Sequence, residues 1–244
     1  MWSRCCMFLR TRFVISQQRD ICVTSLKSST FSRPRKHKMA GATGNLKPQQ
    51  FQYLLVLDFE ATCDEDVKLR PQEIIEFPVV MINTETLATE SIFHQYVQPQ
   101  VHNRLSHFCT NLTGIIQEMV DGQDYLDDVL NKYDKWMAEK LLSKGHTFAF
   151  VTCGDWDLKT MLPSQCKYFN FRKPQYFNQW INIKKEYAAV TSKYPKGMIA
   201  MLDGLSLDLE GRHHSGIDDS KNIARVAVEL LKKGHVFKIN GYLQ

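Results

Sequence analysis

No Cys-x-x-Cys pair occurs anywhere in the 244 residues, and the seven cysteines (Cys5, Cys6, Cys22, Cys63, Cys109, Cys153 and Cys166) are odd in number. That pattern excludes a thioredoxin-type motif and a zinc knuckle, argues against a complete disulfide framework, and fits a reducing compartment. No apolar run approaches membrane-spanning length, so no ordinary transmembrane helix is expected. No Gly-x-Ser-x-Gly elbow is present and no cysteine lies in a nucleophile motif, so a nucleophilic hydrolase has no support. Gly41-Ala42-Thr43-Gly44-Asn45 lacks the Gly-Lys-Ser/Thr ending of a phosphate loop and reads as linker. The formal sequon Asn111-Leu112-Thr113 follows no secretory signal and carries no weight.

Acidic residues are nearly missing from one end. Residues 1–50 hold ten Lys/Arg and one acid, Asp20, for a charge of +9. The remaining 21 Lys/Arg and 25 acids leave residues 51–244 at −4, so the overall +5 belongs to the leader. A body that handles nucleic acid must therefore place its positive charge locally or borrow it from metal ions. The leader is rich in Ser, Thr and Arg and has no sustained period, which fits both a mitochondrial presequence and a solvated, disordered segment. Arg33-Pro34-Arg35-Lys36-His37-Lys38 reads equally as a nuclear-import or nucleic-acid patch, and Met39 as an alternative start. The expected organisation is a leader over 1–50 and one domain over 51–244. Cytoplasm or nucleus is the expected location, with the mitochondrion as the leader's alternative.

At 43% apolar residues, the chain is rich enough in hydrophobic side chains for its body to bury a core without staples. Tyr53–Leu57 is a short apolar run that predicts a buried central strand. Residues 73–83 predict a second strand, with Pro78 implying a bulge or an exposed edge, and 91–97 a third, in an antiparallel meander. Leu126, Val129, Leu130, Tyr133, Met137 and Leu141 share one helical stripe, with Asp121 or Asp124 as cap and Gly145 beyond its end. Residues 147–152 predict a strand, and 156–166 a helix bent or ended by Pro163. Residues 178–190 and 198–207 predict helices, Ile223–Leu231 a final amphipathic helix, and 235–239 a last strand. The order indicates an α/β fold, a mixed sheet flanked by helices.

Three short segments carry chemistry. Asp58 and Glu60, at i and i+2 where the first strand ends, place two carboxylates on one face. Two like charges on a central strand are costly, and a hard divalent cation offsets them directly, though two acids fraying into a loop also fit. Gly154-Asp155-Trp156-Asp157 follows another apolar strand, and neighbouring strand ends would bring its acids to the first pair. One of Asp155 and Asp157 is expected to cap the following helix. The third segment, His213-His214-Ser215-Gly216-Ile217-Asp218-Asp219, sets a histidine five residues before an acid at a helix entrance. A base held there can act on a water, although Asp218 or Asp219 also complements the helix dipole. Four carboxylates and a base suit in-line phosphoryl transfer assisted by two metal ions, whereas a zinc site from these histidines and the scattered cysteines lacks ligand spacing.

The segments Asp58-Phe59-Glu60-Ala61-Thr62-Cys63, Gly154–Asp157 and His214–Ala224, in this order, closely resemble the DEDDh 3′-to-5′ exonucleases. Within them the match is to the enhanced-RNAi (Eri) exoribonucleases and their third vertebrate branch. The resemblance covers about 51–240 and takes in Gln179-Trp180-Ile181-Asn182 and Leu112-Thr113-Gly114-Ile115. It implies an RNase H-like fold with a five-stranded mixed sheet, and a metal-dependent exoribonuclease using two Mg²⁺ or Mn²⁺ ions. Asp58, Glu60, Asp157 and Asp219 are the implied metal ligands and His214 the general base, with Asp155 left as neighbour or cap. His213 stands where relatives often have Pro. Trp156, Phe108, Ala61 and Thr62 are the implied substrate contacts, while Phe59 alternates into the core. RNA 3′ ends, single-stranded or with short overhangs, are the implied partner, with no membrane partner and a monomer as the expected state. A DNA-directed exonuclease and a binding protein without turnover are the alternatives. The SAP-type and zinc modules that often accompany such nucleases are not expected here.

Overall fold

The computed structural model describes residues 46–243, and the expectations for the leader and for Met39 lie outside the described residues. Strand β1 (Tyr53–Leu57) is buried along its whole length, as its unbroken apolar run requires. Tyr53, Leu55 and Leu57 enter the core on one face of the sheet, and Leu54 and Val56 enter the core on the other. The two-residue β2 (Glu60–Ala61) follows almost at once. β1 pairs antiparallel with β3 (Ile74–Asn83), which pairs antiparallel with β4 (Thr89–Tyr96), giving the expected meander. β2 continues along the same side of β3, pairing at Glu76 beyond Val79, the last partner of β1.

Pro78 is neither at an edge nor at a bulge. On one side of β3, Leu57 faces Val79 and Glu60 faces Glu76, so Pro78 lies opposite the break at Asp58–Phe59. A residue without an N–H is tolerated where the neighbouring strand is interrupted. The register shifts fall elsewhere, between Met81 and Ile82 against β4 and between Glu60 and Ala61 against β3.

Helices α1 (His107–Thr113), α2 (Gln117–Val120) and α3 (Leu126–Lys140) follow. The predicted stripe of α3 is buried, but its N-cap is Tyr125 and neither Asp121 nor Asp124 caps it. Strand β5 (Phe148–Thr152) then pairs parallel with β1. A π-helical turn over Asp157–Met161 runs into α4 (Leu162–Phe169), where Pro163 occupies the first turn, a position that needs no N–H partner.

The predicted helix over 178–190 begins as a strand. β6 (Gln179–Asn182) pairs parallel with β5, and α5 (Ile183–Thr191) starts only after Asn182, whose side chain accepts the Lys184 N–H. Trp180 and Ile181 are buried on opposite faces of the sheet, which a helix could not achieve. α6 (Met198–Gly204) and α7 (Gly216–Lys232) complete the helices. The last strand is β7 (Gly241–Tyr242), later than the predicted 235–239, and it is antiparallel to β6.

The sheet therefore contains five longer strands, with β2 and β7 as two-residue additions to the expected five. α3 and α4 cover one face, and α5, α6 and α7 cover the other. Side chains as fully buried as Leu54, Phe77 and Phe150 each contribute ~1.5–3 kcal/mol of apolar burial. Phe59 joins the core against Phe77, with ring centroids 4.7 Å apart. Among the described residues all four cysteines are free thiols, and no helix is long and apolar enough to cross a membrane.

Candidate active site

Parallel β1, β5 and β6 all end at the same edge of the sheet, so the chain leaves each of them at one place. Asp58 follows β1, Asp155 and Asp157 follow β5, and α7 brings Asp219 to the same edge from far along the chain. Carboxylate oxygens of Asp58, Glu60 and Asp219 lie within 4.8 Å of one another. Asp157 adjoins them, because its Oδ1 accepts the N–H of Phe59, the residue between Asp58 and Glu60, at 3.0 Å.

The electrostatics record the crowding. Burial raises the Asp58 pKa well above the ordinary carboxylate value, and repulsion from Asp157, Glu60, Asp219 and Glu76 adds to it. Glu60 is pushed up to about 9 by burial and then by Glu76, Asp219 and Asp157. Burial raises Asp157 to about 6 despite the Phe59 hydrogen bond, and raises Asp219 to about 6 despite the His214 N–H. Asp219 Oδ1 is buried and has no hydrogen-bond partner among the described residues. Hard divalent cations prefer such oxygens and would return these acids to their charged forms. The donor set thus fits a divalent metal.

His213 and His214 occupy a tight turn closed by the Ser215 N–H on the Arg212 carbonyl, 3.2 Å away. His214 has φ +66°, a left-handed conformation that costs a non-glycine residue energy and is found at sites that need it. Its N–H donates to Asp219 Oδ2 at 2.9 Å, which ties the turn to the acid cluster. The two imidazole rings stack with centroids 3.8 Å apart, and His213 Nε2 lies 3.9 Å from Asp219 Oδ2. Burial lowers the His214 pKa from its ordinary 6.5, and the neighbouring His213 and Arg212 lower it further. A neutral imidazole beside the acids is therefore favoured near neutral pH.

Asp155 does not cap the following helix. Its Oδ1 accepts from Trp180 Nε1 at 2.9 Å and Asn182 Nδ2 at 3.0 Å, joining the β5 exit to β6. Nor does Asp157 cap, since no side chain caps the turn it begins. Trp156, between them, is 41% exposed, and Phe108 on α1 is 36% exposed, so both present ring surface to solvent. Ala61 and Thr62 are buried, and the Thr62 hydroxyl accepts the Glu73 N–H at 3.0 Å. Thr62 also lines a cleft of about 370 Å³ with Cys63, Arg104 and Ser106.

Three residues that sequence reasoning missed hold the arrangement. Glu76 on β3 is 1% exposed. Its carboxylate accepts the Gly216 N–H at 2.8 Å and the Ile217 N–H at 3.1 Å, and it contacts His94 Nε2 at 2.7 Å. It thus caps α7 from a different part of the chain, where Ser215 makes no side-chain cap. Gly216 is needed for space: a Cβ there would sit 2.7 Å from the Asp58 carbonyl oxygen. Arg212 donates from Nη2 to the Asn111 carbonyl at 2.6 Å and straps the histidine turn to α1. An acid inside the apolar run Ile74-Ile75-Glu76-Phe77 is the one local signal for Glu76, since a buried carboxylate requires partners.

Glu76→Ala should leave the buried Gly216 N–H and the part-buried Ile217 N–H without acceptors and cost roughly 2–3 kcal/mol in urea unfolding. Unchanged stability would show that Glu76 does not hold the helix.

The exonuclease family profile matches residues 55–227. ERI1 exoribonuclease 3 of Homo sapiens is 55% identical over 193 residues, covering 78% of this chain and 57% of that protein. The chain therefore spans somewhat under three-fifths of that relative's length. The structure of the nuclease domain of 3′hExo, described as a DEDDh family member bound to rAMP, superposes with a TM-score of 0.76 at 42% identity, covering 80% of this chain and 98% of that one. A 3′-exonuclease described as recognising a histone mRNA stem-loop gives a TM-score of 0.77 at 40% identity, covering 80% and 69%.

Proposed function

The chain belongs to the exonuclease family, and from that premise we propose that it is a metal-dependent 3′-to-5′ exoribonuclease releasing nucleoside 5′-monophosphates. The observation that carries this reading is the meeting of Asp58, Glu60 and Asp219 within 4.8 Å, from segments distant in sequence. The exoribonuclease name of a 55% identical relative and the rAMP bound to a structural neighbour support RNA as substrate.

Asp58, Glu60, Asp157 and Asp219 would hold two Mg²⁺ or Mn²⁺ ions. Such ions supply Lewis-acid stabilisation of charge on the phosphate oxygens and acidify water. His214 is the general base: its neutral ring takes a proton from the attacking water, while the turn and the Asp219 hydrogen bond fix its backbone. The water oxygen bonds to phosphorus, the bond from phosphorus to the 3′ oxygen of the preceding nucleotide breaks, and that oxygen leaves and takes a proton from solvent to become the new 3′ hydroxyl. Trp156 and Phe108 offer faces on which the terminal bases stack. Ala61 and Thr62 are buried, so they meet the terminal nucleotide through their backbone and not through extended side chains.

The test is end-labelled RNA with Mg²⁺ or Mn²⁺, with EDTA as control and DNA of the same sequence alongside. RNA labelled at its 5′ end should shorten one nucleotide at a time from the 3′ end, and EDTA should stop it. RNA that stays intact with metal, or shortens from its 5′ end, would contradict the proposal.

A further inference from the structure

Beyond the acids, the same edge of the sheet carries the reverse charge. β6 runs parallel to β5, so α5 begins where Asp155 and Asp157 lie. Residues 184–196 hold four lysines and one acid, in a body whose net charge is −4. The acid, Glu186, is 8% exposed and already engaged by His235 and by Asn240 Nδ2, so it offsets little of the lysine charge.

Two of these lysines are held in place. Lys184 Nζ donates to the Lys196 carbonyl at 2.8 Å and lies 5.4 Å from the centre of the Tyr194 ring. Lys185 Nζ donates to the Asn240 carbonyl at 2.9 Å and sits 3.9 Å from Asp155 Oδ2. Lys193 and Lys196 are exposed, and Tyr194 between them is 64% exposed. The nearness to the acid cluster shows at Cys153. Its thiol is raised to about 12 by burial and by Asp58, and Lys184 is the cation that opposes the shift.

We propose that Lys184, Lys185, Lys193, Tyr194 and Lys196 form a docking surface for the single-stranded RNA upstream of the scissile bond. The proposal rests on the exoribonuclease reading for its ligand. Neighbouring lysines and an exposed aromatic ring are the combination that grips single strands without reading sequence: the lysines follow phosphates and the ring accepts a base. The surface also answers the charge problem of the body, because it attracts a polyanion to an edge that the carboxylates alone would repel. A terminal nucleotide near Trp156 would leave the preceding phosphates to cross the start of α5.

The experiment is fluorescence-anisotropy binding of a labelled RNA of about twelve nucleotides, within the span of such platforms, to the full chain in EDTA. The wild type is compared with Lys193→Gln/Tyr194→Ala/Lys196→Gln and with Lys193→Arg/Lys196→Arg. The triple variant should bind at least about tenfold more weakly, and the slope of log affinity against log salt should flatten by about 1.4 for two lost phosphate contacts. The arginine variant should bind like the wild type. Thermal unfolding of the triple variant should stay close to the wild type, since all three side chains are exposed and the Lys184–Tyr194 contact is the one packing interaction removed. Equal affinity and salt slope for the triple variant and the wild type would overturn the surface. A wild type that binds RNA through these residues yet degrades none would overturn the nuclease reading and leave the surface standing.

Discussion

Asp58→Asn should reduce RNA turnover roughly 10²–10³-fold, the scale on which losing one group aimed at developing charge is felt. The same substitution should make the metal-free protein more robust in alkali. Burial and mutual repulsion raise the folded-state pKa values here: Glu60 to about 9, and Asp157 and Asp219 to about 6, with Asp58 raised as well. A carboxyl group with a raised folded pKa binds its proton more tightly in the folded chain than in the unfolded one. Its stabilising contribution is complete below the unfolded value near ~4 and is lost as pH rises through the folded value. The metal-free wild type should therefore lose thermal stability steadily from about pH 4 to about pH 9. The substitution removes one of the repelling charges, so the variant's melting temperature should fall less over that range. Mn²⁺ should raise the wild-type midpoint at pH 8 by roughly 5–10 °C and the variant's by much less. A variant that keeps its turnover, or a wild type whose metal-free midpoint climbs with pH, would contradict this account of the cluster.

His214→Ala should lower kcat roughly 10²–10⁴-fold while the Mn²⁺-induced thermal shift survives, because the acids remain. The pH profile distinguishes a base from a prop. A base at His214 must be neutral, and burial together with His213 and Arg212 holds the His214 pKa below the ordinary 6.5. The acid limb of wild-type turnover should lie below that value, with activity falling as pH drops through it. The limb should vanish in the alanine variant, and added imidazole should restore part of the rate. His213→Ala, by contrast, should shift the limb upward, since His213 is one of the charges that depress the His214 pKa. If the acid limb stays in place when His214 is alanine, another group takes the proton.

Much of the site is legible in the sequence because its chemistry is concentrated at strand ends. Asp58 and Glu60 close an apolar run that only a doubly covered strand explains, and β1 is buried on both faces. The turn before α7 stands out as histidines and acids set against a strong amphipathic period. What escapes is non-local. Nothing within residues 178–190 distinguishes β6 from the first turn of a helix. The deciding fact is that β5 leaves an open edge for Trp180 and Ile181 to fill. Pro78 reads as an edge marker because the interruption that accommodates it lies about twenty residues earlier, at Asp58–Phe59. Asp155 reads as a cap because its partners, Trp180 and Asn182, come from the next strand. Glu76 holds a helix that begins 140 residues later, a link that no local pattern encodes.

The need for glycine at position 216 follows from the same long-range fit. α7 approaches the end of β1 so closely that a methyl group would strike the Asp58 carbonyl. Glu76 receives the helix N-terminus at that point, and Asp219 is thereby delivered in the first turn of α7. The candidate site is therefore a product of sheet topology and helix docking together.

The most direct measurement is a crystal of the chain soaked with Mn²⁺ and a nucleoside 5′-monophosphate, read by anomalous scattering. Two manganese peaks roughly 3.5–4 Å apart, enclosed by Asp58, Glu60, Asp157 and Asp219 with the phosphate against them, are the predicted result. Manganese bound elsewhere, or a carboxylate cluster that stays free of metal at saturating Mn²⁺, would contradict it.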